Sequence, residues 1–292
     1  MRILLAIVHH WNPDGDGRHQ SLRPNPQPRL DALQAQLLSI RRLGLRQGHL
    51  NIASMQVCAA NERLLHEIDI VLVHDGSNNV LQFLDAVFLD GVKQVVVDID
   101  NPRLLGFAAQ RALADQLDKN YDLYGYLEDD LVINDPLFFH KISWFTNETS
   151  PAHVLLPQRY EFASGPHMVD RFYIDGPLHR QDLESVIPEP VSAIQTKQPG
   201  GPLLLESPTN PHSGCFVLTH QQLSHWVAQP FWQDGDVSFV GPLESAATLG
   251  IAKAFSLYKP CFANASWLEI QHWGRGFHCL IGNTINSGSL AA

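Results

Sequence analysis

The sequence predicts an α/β fold, with a mainly parallel sheet flanked by helices and an irregular, loop-rich C-terminal half. Apolar runs of strand length alternate with segments of helical periodicity through about the first half of the 292 residues. This alternation is typical of β-α units, whose strands are parallel and buried on both faces. With 45% hydrophobic and 17% charged residues, the chain also has enough apolar material for a large core. We therefore expect a single domain spanning residues 1–292.

Each element of the first half has its own local signal. The predicted strands are apolar runs that end in turn-forming or acidic residues, namely Arg2–Val8, Ile68–Val73, Val92–Val97 and Tyr121–Leu127. The predicted helices carry apolar residues at helical spacing or begin at capping residues: one through Leu30, Leu33, Leu37 and Ile40, one from Asn101-Pro102 to about Leu117, and one from Leu137 to about Phe145. In such sheets ligands bind at the carboxyl ends of the strands.

The second half is less regular. Eight of the nineteen prolines lie between Pro166 and Pro211, which predicts a long ordered loop region at about residues 160–212. A loop of this length inside a compact chain is typical of a lid or a binding loop. After it the pattern predicts a strand at Gly214–Leu218, a helix at Gln221–Val227 and a helix from Gly241-Pro242 to Gly250.

Charge and hydropathy exclude several classes of protein. The chain has 20 Lys and Arg against 30 Asp and Glu, a net charge of −10, which argues against a nucleic-acid-binding protein. No apolar run approaches the ~18 residues of a transmembrane segment. The Ile3–Val8 run is too short for a signal-peptide core and lacks a small-residue cleavage site after it. We therefore expect a cytoplasmic protein.

An acidic triplet, Glu128-Asp129-Asp130, follows the fourth predicted strand. Adjacent carboxylates repel one another, and oxygen ligands favour a hard divalent cation such as Mg²⁺ or Mn²⁺, often shared with substrate phosphates. If the triplet is extended, Glu128 and Asp130 face one way and Asp129 the other. A solvated acidic turn is the alternative. Asp98-Ile99-Asp100 has the same spacing but leads directly into a helix start.

Three motifs occur in a recognisable order. They are Val73-His74-Asp75-Gly76-Ser77, the helical segment from Gly106 to Arg111, and Tyr126-Leu127-Glu128-Asp129-Asp130. This order resembles the nucleotide-sugar half of GT-A-fold glycosyltransferases, especially the large family 2. Three positions depart from the family pattern: His74 stands where an acidic residue is common, Ala112 follows Arg111 in place of Asn, and Glu128 replaces the first Asp of the metal motif.

The resemblance implies roles for the first half of the chain. Residues 1–135 would bind the nucleotide sugar and residues 136–292 the acceptor. Asp75 and Arg111 would contact the nucleoside, and Asp129 would also belong to the nucleotide-sugar site. Asp130, with Glu128 directly or through water, would hold a divalent cation on the diphosphate, where it stabilises the departing nucleoside diphosphate.

The resemblance also implies a base and phosphate ligands in the second half. An inverting sugar transferase takes its base from a carboxylate near the start of a helix, and Glu244 fits that position, with Asp236 in reserve. Glu244 is equally suited to a structural role, because an acidic residue at the third helical position is favoured by the helix dipole. His272 would be a third metal ligand or a diphosphate contact, and Arg275, between two glycines, would bind phosphate.

These expectations predict a metal-dependent, inverting glycosyltransferase that moves a sugar from a nucleoside-diphosphate sugar to a carbohydrate or other hydroxyl acceptor. A sugar-nucleotide nucleotidyltransferase is the alternative enzyme, but the segment from Asn12 to Arg18 is acidic, which disfavours a triphosphate. A non-catalytic GT-A-like binding protein is the third possibility. A Ser hydrolase is excluded because no Gly-x-Ser-x-Gly motif is present.

Overall fold

A computed structural model describes residues 1–15, 17, 20–164, 169–281 and 283–285. The strands are β1 (Arg2–Val8), β2 (Gln47–Asn51), β3 (Gln56–Ala60), β4 (Glu67–His74), β5 (Val92–Val96), β6 (Leu123–Glu128), β7 (Leu131–Val132), β8 (His153–Leu155), β9 (Gln158–Ser164), β10 (Val169–Tyr173), β11 (Ile194–Gln198), β12 (Gly201–Glu206), β13 (Cys215–Thr219), β14 (Ser256–Pro260) and β15 (Glu269–His272). The α-helices are α1 (Gln27–Gly44), α2 (Leu105–Ala114), α3 (Phe138–Glu148), α4 (Arg180–Val186), α5 (His220–Val227) and α6 (Pro242–Ala254).

A five-stranded sheet forms the centre of the fold, in the order β13-β6-β1-β4-β5. The four strands from the first half are parallel, as the β-α alternation predicts, and β13 pairs with β6 in the antiparallel direction. The register aligns Val8 with both Val73 and Glu128. The carboxyl ends of β1, β4 and β6 therefore meet at one edge of the sheet.

Hydrophobic clusters cover both faces of this sheet. Along β1 the side chains of Ile3, Leu5 and Ile7 pack into one cluster, while Leu4, Ala6 and Val8 pack into the other. The first cluster includes apolar residues of α1 and α3, and the second includes those of α2, α5 and α6. The α/β class predicted from the continuous apolar strand is therefore confirmed.

The predicted helix from Asn101 begins as expected, with a tighter first turn. The Asn101 side chain accepts a hydrogen bond from the Arg103 backbone N–H, 3.1 Å away. A 3₁₀ turn at Pro102–Leu104 follows, and α2 continues to Ala114. Asparagine is favoured at this position because its side-chain oxygen satisfies a backbone donor that the first helical turn leaves unpaired.

The proline-rich stretch between Pro166 and Pro211 is more regular than the sequence predicts. It includes β10, α4, and the hairpin of β11 and β12, joined by loops, while residues 166–168 lie outside the described residues. Strand β9 pairs with β10, and β12 pairs with β14 from the end of the chain. The expectation of one continuous loop at residues 160–212 is therefore wrong. Short strands survive here because the prolines fall mostly between them.

Two smaller sheets complete the second half, in the orders β10-β9-β15-β7 and β11-β12-β14-β8. Strand β15 pairs with β7, which places His272 opposite Leu131, directly after the acidic triplet. A separate hairpin of β2 and β3 forms a two-stranded sheet. Among the described residues, no helix combines the length and the hydropathy that a transmembrane span requires.

Candidate functional site

The acidic triplet lies at the carboxyl edge of the central sheet and is buried. Glu128, Asp129 and Asp130 are each less than 10% exposed. Strand β6 ends at Glu128, and the next two residues form a turn. The extended conformation on which the predicted alternation depends therefore stops after Glu128, and the shared facing of Glu128 and Asp130 stays a prediction.

Asp129 and Asp130 share one cation from the protein itself. The Arg29 guanidinium lies 2.5 Å from Asp129 Oδ1 and 3.1 Å from Asp130 Oδ2. Arg29 lies in the first turn of α1 and is itself buried. The counter-cation that adjacent carboxylates require is therefore supplied at least in part by an arginine on a different element.

His9 holds the other side of Asp129. Its Nδ1 lies 2.5 Å from Asp129 Oδ2, and its Nε2 accepts a hydrogen bond from the Val80 backbone N–H. Because Nε2 is an acceptor, the Nδ1 proton is directed at the carboxylate. Burial alone would raise the pKa of Asp129, but the Arg29 charge and the His9 hydrogen bond outweigh burial and lower it. Asp129 is therefore a carboxylate held by two side chains, one from α1 and one that follows β1.

Asp130 faces an imidazole that is oriented by a second carboxylate. His272 Nε2 lies 3.5 Å from Asp130 Oδ2, and His272 Nδ1 lies 2.9 Å from Glu161 Oε1. The buried Glu161 also accepts the backbone N–H of His278. Burial would raise the pKa of Glu161, but these hydrogen bonds lower it. Glu161 therefore fixes the ring so that Nε2 points toward Asp130.

Glu128 lies in a separate, more crowded position. Burial raises its pKa well above the usual value, and the nearby carboxylates of Glu244 and Asp130 raise it further. Its Oε1 is 4.0 Å from His212 Nε2, and a Cβ on Gly214 would come within 3.0 Å of its Oε2. Gly214 also has a φ of +63°, so both the space and the backbone favour glycine beside this carboxyl group.

A buried ion cluster lies next to His212 and Glu128. Arg159 pairs with Asp175 through two of its nitrogens, and Lys259 Nζ lies 3.1 Å from the same carboxylate. Lys259 also donates to the His212 backbone carbonyl at 2.6 Å. Burial would raise the pKa of Asp175, but the two cations lower it. This cluster places His212, with its strongly lowered pKa, against Glu128.

Glu244 joins this edge from the first turn of α6. It is half-buried, and among charged groups it is the one that raises the pKa of Glu128 most. Its carboxylate folds back over Gly241, where a Cβ would collide with it. Glu244 therefore lies close enough to Glu128 for their charges to interact, and its role as the base stays a prediction.

Asp75 lies at the same edge but is already engaged. Its Oδ1 accepts the backbone N–H groups of Ser77 and Asn78, and its Oδ2 lies 3.7 Å from His10 Nδ1. Burial would raise the pKa of Asp75, but its hydrogen bonds with Asn78 lower it. Asp75 therefore shapes the turn after β4, and its nucleoside role stays a prediction.

Two of the other predicted residues, Arg111 and Asp236, have their described contacts elsewhere in the fold. Arg111 is exposed and lines a cleft of about 360 Å³ beside β5 and α2. Asp236 pairs with Lys253 at 3.1 Å, near the C-terminal end of α6, whereas Glu244 is in the first turn. Arg275 is exposed in the turn after β15, three residues beyond His272. The described residues thus give no shared site for Arg111, Asp236 and the triplet.

Three of the residues that build the site are missing from the sequence-based set: His9, Arg29 and Glu161. His9 has a usable signal, because it follows a parallel strand whose carboxyl end reaches the same edge as Glu128. Arg29 and Glu161 have no local signal, since their partners lie about a hundred positions away in the chain.

The residues fit a hard divalent cation that substrate phosphates would help to hold. Asp130 Oδ1 and Glu128 Oε1 are buried and have no hydrogen-bond partner within the described part of the chain. A carboxylate behind the imidazole, as Glu161 is behind His272, is the usual support of a metal-binding histidine. No group of three or more His, Cys, Asp or Glu side chains in the described ranges could hold a metal by itself. Mg²⁺ is commonly bound through one or two carboxylates plus phosphates.

Three solved structures align with most of this chain. A mannose-1-phosphate geranyltransferase from Thermus thermophilus has a TM-score of 0.41 and 11% identity, over 89% of this chain and 73% of its own. GalNAc-T7, solved with UDP, GalNAc and Mn²⁺, has a TM-score of 0.45 and 12% identity, over 93% of this chain and 43% of its own. Mouse xyloside xylosyltransferase 1, in its apo form, has a TM-score of 0.39 and 13% identity, over 85% and 81%.

At these TM-scores and identities the solved structures assign neither a family nor a reaction to this chain. No protein-family model matches the chain, and no curated protein matches it. The residues at the carboxyl edge of the central sheet therefore have to carry the functional argument.

Proposed function

We propose that this chain is a transferase that uses a nucleoside-diphosphate sugar and a divalent cation, Mn²⁺ or Mg²⁺, and moves the sugar to a hydroxyl acceptor. The observation that carries the proposal is the pair of buried carboxylate oxygens without partners in the described part of the chain, Asp130 Oδ1 and Glu128 Oε1, at the carboxyl edge of a parallel sheet. Unpaired buried carboxylate oxygens are costly unless a cation or a ligand satisfies them.

Asp130 and His272 would hold the cation, with Glu128 the third candidate. When bound, the cation would neutralise charge on the diphosphate as it leaves. Glu161 keeps His272 Nε2 directed at Asp130, so the imidazole needs no reorientation when donor binds. Arg29 lies between Asp129 and Asp130 and offsets their mutual repulsion before donor arrives. These residues are therefore organised in advance for an anionic substrate.

Glu244 would accept the proton of the acceptor hydroxyl. It is the half-buried carboxylate that approaches the triplet from the second half of the chain, and the neighbouring Glu128 has a raised pKa. With Glu244 as the base, we expect the transfer to invert the configuration at the sugar carbon.

Calorimetry with nucleotide sugars tests the donor site. We expect wild-type protein to bind a UDP- or GDP-sugar in the presence of Mn²⁺ and to lose at least ~tenfold in affinity when EDTA is added. Asp130→Asn should cause a similar loss, because the variant keeps the side-chain shape but removes the charge.

Asp118→Asn is the matched control, since Asp118 is exposed and remote from the triplet in the fold. Unchanged donor affinity in Asp130→Asn would contradict the metal assignment. Release of pyrophosphate from a nucleoside triphosphate and a sugar phosphate, without any sugar transfer, would contradict the transferase assignment and indicate a nucleotidyltransferase instead.

A further inference from the structure

The hairpin of β2 and β3, residues 47–60, is a surface arm that the proposed function does not use. Its two strands pair only with each other among the described residues. A two-stranded hairpin is marginally stable in water without a surface to pack against. We refer to this segment as the hairpin arm.

One face of the hairpin arm is apolar and exposed. Leu50 and Val57 lie directly opposite each other across the two strands and are 71% and 74% exposed. Ile52 and Met55, in the connecting turn, are 72% and 84% exposed. Exposed large apolar residues that gather in one place are uncommon on a monomeric protein and mark an interaction site.

The opposite face of the hairpin arm is polar. Asn51 and Gln56 form the next cross-strand pair, and His49 faces Cys58. Because side chains alternate along a strand, these pairs point away from Leu50 and Val57. The hairpin arm is therefore amphipathic, with one apolar face that ends at an apolar tip.

The hairpin arm is uncharged, and arginines outnumber acidic residues beside it, although the chain as a whole is acidic. No Asp, Glu, Lys or Arg occurs from residue 47 to residue 60. Arg42, Arg46 and Arg63 flank its two ends together with one acidic residue, Glu62, and all four are exposed. Arg46 also lines a cleft of about 770 Å³ with Arg2 and Arg41, and Glu67 and Asp122 line the same cleft. An uncharged apolar tip with arginines at its base matches the layers of an anionic bilayer, in which phosphates surround the acyl region.

We propose that the hairpin arm docks this protein on an anionic phospholipid surface, with the apolar face entering the interfacial layer and the arginines contacting lipid phosphates. A second copy of the chain fits less well. In a symmetric dimer the same patch meets itself, so the arginines at the base of both arms would be brought around one interface. The lipid surface instead offers charge of the opposite sign.

Vesicle co-sedimentation tests the proposal on the full chain. We expect binding to vesicles of phosphatidylglycerol and phosphatidylcholine, and at least ~tenfold weaker binding to pure phosphatidylcholine. Leu50→Asn combined with Val57→Asn should reduce binding at least ~tenfold, because two large apolar side chains no longer leave water. Ile52→Ser combined with Met55→Asn is a second variant, confined to the turn. Asn suits the φ of +54° at residue 55.

Val87→Ser combined with Val96→Ser is the matched control, since both valines are about as exposed, at 60% and 62%, and neither belongs to the hairpin arm. The control should bind vesicles as the wild type does. Absence of wild-type binding to anionic vesicles, or full binding by both hairpin variants, would overturn the proposal. A dimer in solution that the hairpin variants dissociate, with no vesicle binding, would also overturn it and identify a second copy as the occupant.

Discussion

At the scale of single residues, the proposed role of Glu244 as the proton acceptor can be tested directly by mutation. Its carboxylate is half-buried beside Glu128 and folds over Gly241. If Glu244 accepts the acceptor proton, Glu244→Gln should keep donor affinity near that of the wild type while kcat falls by about 10²–10⁴. The measurement is initial rates of sugar transfer together with donor binding by calorimetry.

Asp236→Asn is the control for this experiment, because Asp236 is the other carboxylate that the sequence offers as a base. It pairs with Lys253 at the far end of α6, and its hydrogen bonds to Ser238 lower its pKa. A carboxylate held this way is a weaker base. We expect Asp236→Asn to keep kcat within about a factor of three, and a large loss there with a normal rate in Glu244→Gln would reverse the assignment.

Part of the candidate site could be predicted from the sequence because some of its residues directly follow predicted strands. Glu128 and Asp130 follow an apolar run, so their place at the edge of the sheet can be deduced without coordinates. The structure adds what depends on distant partners. Arg29 reaches the triplet from α1, and Glu161 reaches His272 from β9. No spacing rule connects positions about a hundred residues apart, so neither ion pair could be predicted.

At the scale of elements, the contact between α2 and α6 sets the position of Glu244. Gly106 on α2 faces Ala246 on α6, and a Cβ on Gly106 would lie 2.5 Å from the Cβ of Ala246. Gly106→Ala should therefore force the two helices apart and destabilise the fold by about 1–3 kcal/mol. Urea unfolding followed by circular dichroism measures this change.

Gly176→Ala is the comparison for Gly106→Ala, because a Cβ on Gly176 meets no atom within 4 Å. We expect this variant to change the free energy of unfolding by less than about 0.5 kcal/mol. Equal effects of the two substitutions would show that backbone entropy, and not the helix contact, determines the cost at Gly106.

The elements that the sequence predicts correctly are those with strong local patterns. Strand β1 has the bounds of its apolar run, and helix α5 has Thr219 as its N-cap, in a capping box with Gln222. Strands β2 and β3 were not predicted. Both are mostly exposed, and neither contains the continuous apolar run that predicts a buried strand. The hairpin of β11 and β12 was not predicted either, since proline density alone favours a loop, whereas its pairing with β14 depends on a distant segment.

At the scale of the whole molecule, buried histidines link stability to pH. Burial lowers the pKa of His10 and His74, which both lie beside Asp75, and of His153 and His212. A histidine that stays neutral when folded and takes a proton when unfolded favours the unfolded chain in acid. The folded protein should therefore lose stability as the pH falls through the range in which unfolded histidine titrates.

His66 gives the sharpest case. Burial lowers its pKa to about 4, and the neighbouring His140 and the N-terminal ammonium disfavour the charged form further. Neither ring nitrogen has a hydrogen-bond partner within the described residues, and the ring meets Phe139 edge-on at 5.7 Å. Between pH 6.5 and 4 the unfolded chain binds a proton at this residue that the folded chain does not. Stability should therefore fall by about 1–3 kcal/mol on acidification, with the loss complete near pH 4.

His66→Phe should remove this part of the pH dependence, because a phenyl ring fills the same apolar site without titrating. Urea midpoints measured from about pH 7 to about pH 4 should show a shallower decline in His66→Phe than in the wild type. His225→Phe is the control, since it makes the same substitution at an exposed histidine. If the stability of His66→Phe depends on pH as steeply as that of the wild type, the His66 ring must take up its proton equally readily in the folded and unfolded chains. The buried position of His66, which lacks a hydrogen-bond partner within the described residues, would then have to open to water in acid.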